Sequence, residues 1–111
     1  IGNSNYRYRP NGEFAVVYLK ESWYKYDELV FKLHRDDYDV NIPVKAEFLK
    51  WCLESNNTNT LFGNYYCFFQ LIAMKIDKTK NNVNYITTDA TTMSFKGFSG
   101  DLVEIYGVKY N

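Results

Sequence analysis

The chain has 111 residues, 46% of them hydrophobic and 23% charged, the proportions of an ordinary globular domain and not of a disordered or collagen-like polymer. Thirteen Lys and Arg balance thirteen Asp and Glu, and residues 1–55 (eight basic, nine acidic) and 56–111 (five basic, four acidic) are each near neutral. No global field therefore steers the protein toward polyanions or anionic membranes, and no apolar run is long enough to make a membrane span.

Aromatic residues stand out, with 11 Tyr, 8 Phe and 2 Trp making 19% of the chain. Each ring brings a large apolar area and a directional electrostatic face, so rings must build either the core or a binding surface.

Residues 1–12 lack apolar periodicity and end on Arg9-Pro10-Asn11-Gly12, which reads as an N-terminal arm closing on a turn. Residues 13–111 read as one α+β domain. The start at Ile1 reads as that of a processed or trimmed product, so the sequence carries no legible address. Glu13 to Lys20 is β-branched and aromatic on both faces and suits a covered strand. Ser22 to Asp27 is a polar-aromatic connection. Glu28 to His34 alternates Leu29, Phe31 and Leu33 against Lys32 and His34, the pattern of a half-exposed strand.

Arg35 to Asp39 reads as a solvated turn, and Asn41-Ile42-Pro43 as a helix start with Asn as cap. The spacing predicts a helix from about Pro43 to Glu54 that buries Val44, Phe48, Trp51 and Cys52. The polar run Ser55 to Thr60 stops it. Tyr65 to Ile76 is apolar on both faces and is expected to be a central strand. Further strands follow at Val83 to Thr88, Thr92 to Phe98 and Leu102 to Tyr110, separated by turns at Asp77 to Asn82, Asp89-Ala90 and Ser99-Gly100-Asp101. Gly107 marks a bulge or a close backbone approach.

The order β-β-α-β-β-β-β describes one helix packed on a mainly antiparallel, meander-type sheet, with an all-β sandwich as the alternative.

Residues that carry chemistry are few. The single histidine, His34, has no second group at a spacing that sequence can recognise, so it reads as a surface histidine. The acidic run Asp36-Asp37-Tyr38-Asp39 lacks the Gly and closing Glu of a calcium loop. One His and two Cys do not complete a zinc site. Cys52 and Cys67 leave two readings, one disulfide or two buried thiols. The sequon Asn56-Asn57-Thr58 points to a secreted or extracellular setting.

Tyr6-Arg7-Tyr8-Arg9 interleaves rings with guanidinium groups, and Trp23-Tyr24-Lys25-Tyr26 repeats that chemistry. The expectation is a non-enzymatic binding module without a cofactor, meeting a protein partner through exposed aromatic residues. Its candidate site is Tyr6, Arg7, Tyr8, Arg9, Trp23, Tyr24 and Tyr26. The alternatives are a stacking module for single-stranded nucleic acid or glycan using the same residues, and a small hydrolase with His34 as acid or base.

Overall fold

The computed structural model describes residues 5–8, 15–55, 57, 60–73 and 88–110, with the backbone alone for 5–8 and 15. Strands β1 (Asn5–Tyr8) and β2 (Ala15–Tyr18) lead to a 3-10 turn at Trp23–Lys25, then β3 (Glu28–Arg35), β4 (Tyr38–Lys45) and helix α1 (Ala46–Glu54). Strands β5 (Leu61–Gly63), β6 (Phe68–Leu71), β7 (Thr92–Ser99) and β8 (Asp101–Val108) follow. The architecture is α+β, one helix on antiparallel sheets.

Leu29, Phe31 and Leu33 alternate inward on β3 as their period of two requires, and all three are fully buried. Strand β3 is the middle of a three-stranded sheet, order β4-β3-β8, while the second sheet has five strands in the order β1-β2-β7-β6-β5. The closing strands therefore do not form one continuous meander. Gly100, at φ +100°, turns the chain out of β7 in one sheet and into β8 in the other. A residue with a Cβ seldom adopts that conformation.

The two sheets share one core. Phe31 of β3 meets Phe69 of β6 with ring centroids 4.5 Å apart, and both rings stand nearly edge-on to Phe95 of β7, at 6.3 and 5.5 Å. Tilted and edge-to-face pairs of this kind suit the ring quadrupole.

Within the expected N-terminal arm, β1 pairs antiparallel with β2, Tyr6 opposite Val17 and Tyr8 opposite Ala15. Two expectations are corrected. The segment from Tyr38 is a strand, not a turn and helix start, because Ile42 and Val44 alternate inward against β3 while Asn41, Pro43 and Lys45 face out. Pro43 is tolerated there because β4 is an edge strand, where a missing N–H need not break a ladder. The helix begins only at Ala46, whose N–H donates to Asp27 O at 3.0 Å. It buries Ala46, Leu49 and Cys52, and leaves Phe48 and Trp51 exposed.

The second correction concerns residues 64–67, which form a turn instead of the start of a strand. Asn64 Oδ1 accepts from the N–H of Tyr66 (2.8 Å) and Cys67 (2.7 Å), and Asn64 N–H donates to Cys67 O (2.9 Å). An Asn side chain bonding the backbone two and three residues on closes a turn in this way. Tyr65 is consequently 95% exposed at its tip. The strand expected at Val83 to Thr88 falls mostly outside the described residues, as do the turn at 77–82 and Asn56 of the sequon.

Candidate functional site

Of the expected aromatic site, the side chains of Trp23, Tyr24 and Tyr26 are described. Trp23 is fully buried, because the 3-10 turn directs its indole inward and its Nε1 finds a partner in Asp89 O at 2.7 Å. A buried indole needs such an acceptor. Trp23 therefore belongs to the core and cannot stack on a base or sugar. Tyr26 is half-buried against Gly107 of β8, leaving Tyr24 as the exposed ring of that trio. Tyr6, Arg7 and Tyr8 have their backbone in β1, at the edge of the five-stranded sheet, while Arg9 lies outside the described residues.

A different set of rings reaches the surface. From the buried Phe69, the series runs to Phe62 (5.1 Å, stacked), to Phe48 (5.8 Å, edge-on) and to Trp51 (5.7 Å, stacked). Exposure rises along it, with Phe62 buried, Phe48 40% exposed and Trp51 51% exposed. Phe48 and Trp51 are three residues apart on α1 and so lie on one face. Leu61 of β5, 58% exposed, lines a groove together with Phe48.

That groove, about 540 Å³, opens where the outer strands of the two sheets, β4 and β5, run past each other beneath α1. Its apolar lining includes Val40, Ile42, Val44, Phe48, Leu61 and Phe62. The two edges come close at Gly63, which has φ +123°. A Cβ there would fall 2.3 Å from Cys67 O and 2.9 Å from Ile42 Cδ1.

Helix α1 is braced from outside. Lys50 Nζ donates to Tyr24 O at 3.2 Å and lies 5.6 Å from the Tyr24 ring centroid. Nearby, Glu21 accepts from Lys25 Nζ and Tyr26 OH, both at 2.5 Å. These two bonds to the charged carboxylate, that from Lys25 first, lower the Glu21 pKa from 4.5 to about 2.

The remaining chemistry-bearing groups have structural partners. His34 Nδ1 and Asp39 Oδ1 pair at 2.6 Å across β3 and β4, both well exposed. Cys52 and Cys67 are unbridged and buried, and desolvation raises both thiol pKa values, which disfavours the thiolate nucleophile. Among the described residues no group of three or more His, Cys, Asp and Glu side chains could hold a metal ion, and no helix is long and apolar enough to cross a membrane.

Phe48 and Trp51 were assigned to the wrong side of the helix by sequence. The segment carries two apolar stripes, Val44-Phe48-Trp51 and Ala46-Leu49-Cys52, and the second is the buried one. The signal that separates them is Val44, which alternates with Val40 and Ile42 as a strand residue. No family model, curated relative or solved structure matches this chain.

Proposed function

We propose that this domain is a non-enzymatic binding module that meets a protein partner through exposed aromatic residues, centred on Phe48 and Trp51. One observation carries the reading: a stacked Phe–Trp pair stands half out of the protein while rooted, ring by ring, in the core. A ring held in place before binding loses little conformational freedom when it is covered. Large aromatic residues beside an apolar groove are also the side chains on which interface energy concentrates.

The test compares a Trp51→Ala/Leu61→Ser variant with the wild-type protein as bait for purifying the native partner, alongside melting curves of both. A partner held by the wild type should bind the variant at least about 30-fold more weakly, the loss of a hot spot. The melting midpoint should hardly move. Equal retention by the variant would move the interface elsewhere. Sedimentation of the protein alone identifies the case in which the partner is a second copy.

A further inference from the structure

Away from the Phe48–Trp51 pair, the β3–β4 turn and the β5–β6 turn meet at a corner built of three tyrosines. The rings of Tyr38 and Tyr66 stand at 84° to each other with centroids 5.8 Å apart. Tyr65 projects beside them, 95% exposed. Together with Asp36, Asp37 and Asn64 they line an open pocket of about 440 Å³. Both turns are locked. Asp36 sits at φ +55° and accepts from Tyr66 OH, and Asn64 Nδ2 donates to Tyr38 OH at 3.4 Å.

The chemistry of this lining has one sign. An aromatic ring carries a negative face, and the two carboxylates add formal charge, while no basic side chain is among the described residues lining the pocket. The neighbouring cation, Arg35, is already engaged outside it. Its guanidinium lies 4.2 Å from the Tyr66 centroid and donates to Tyr66 O at 3.0 Å and Ser99 Oγ at 2.7 Å. The chain thus already places one cation against this set of rings, and the remaining ring surface and Asp37 face solvent.

We infer that the pocket receives an organic cation, an alkylammonium or guanidinium head, held between the tyrosine rings and balanced by Asp36 and Asp37. The rings supply the shape and the carboxylates the charge, as in cages that recognise alkylated ammonium groups. The inference rests on this corner alone and stands or falls independently of the Phe48–Trp51 surface.

Proton NMR titration of the intact protein tests it with four probes: choline, N-acetyl-lysine methylamide, N-acetyl-arginine methylamide, and 3,3-dimethylbutan-1-ol, the neutral isostere of choline. Saturable shifts of the Tyr38, Tyr65 and Tyr66 ring signals are expected with the cations and not with the alcohol. Tighter binding of the amino-acid amides would assign the cation to a protein side chain, and tighter binding of choline to a free quaternary ammonium.

Tyr65→Ala should weaken cation binding about two- to fivefold, the worth of one exposed cation–π contact. Asp37→Asn should weaken it further as salt is lowered, where the wild type gains most. Both side chains are exposed, so signals from the core should stay in place in both variants. Equal shifts from the neutral alcohol, or unchanged cation affinity in both variants, would overturn the inference.

Discussion

The ring of Tyr26 rests on the backbone of Gly107, so closely that a Cβ at position 107 would lie 2.4 Å from Tyr26 Cγ and 2.5 Å from Cδ1. The contact joins the segment before β3 to the last strand, and the ring's hydroxyl goes on to Glu21. Because the clash falls at the base of the ring, rotation about the outer bonds cannot relieve it. Gly107→Ala should destabilise the protein by about 1–3 kcal/mol, the usual cost of overpacking. Denaturant titration of Gly107→Ala, Tyr26→Ala and the double variant checks it. The double variant should cost less than the sum of the singles, since removing the ring removes the clash. Strict additivity would mean that the two residues do not touch.

The two tryptophans should separate cleanly in stability measurements. Trp23 is enclosed and hydrogen-bonded to Asp89 O, so Trp23→Ala should cost about 3–5 kcal/mol. Trp51 is half in solvent, so Trp51→Ala should cost less than about 1 kcal/mol. Chemical denaturation of both variants decides it, and a reversal of the order would put Trp51 in the core.

Glu21 should titrate near pH 2 instead of in the ordinary carboxylate range. Its folded pKa is depressed, so whatever it adds to stability is fully present above about pH 4.5 and is lost as the pH falls from there to about 2. Lys25→Ala should raise the midpoint more than Tyr26→Phe, because the Lys25 bond is the larger cause. Carbon-detected NMR of the Glu21 carboxyl follows the titration. A wild-type midpoint in the usual range would show that the Glu21–Lys25–Tyr26 clasp is open in solution.

Much of the β architecture was legible because local pattern and tertiary burial agree. The alternation of Leu29, Phe31 and Leu33, the turn at Gly100 and the close approach at Gly107 each follow from a constraint carried by the residues themselves. Where sequence reading failed, two local signals competed. Asn41-Ile42-Pro43 satisfies a helix start as well as it satisfies an edge strand, and only pairing with β3 decides between them.

The burial of Trp23 was missed for a related reason. A loop residue such as Trp23 reads as exposed, but its hydrogen-bond partner lies 66 positions further on, at Asp89, and no local window contains it. Tyr65 was merged into a strand because the apolar run hides the turn that Asn64 closes. The division of one helix's two apolar stripes between core and solvent is likewise a tertiary outcome.

Pro43 has a consequence beyond its own strand. An outer strand ordinarily offers a continuous row of amide donors and carbonyl acceptors, a template on which further chains can add and polymerise. Here the row along β4 is interrupted by a residue with no N–H, and its counterpart β5 is only three residues long, ending at Gly63. Both borders of the groove are thus blunted against main-chain pairing, so the exposed rings of Phe48 and Trp51 stand beside strand edges that are poor templates for fibril growth.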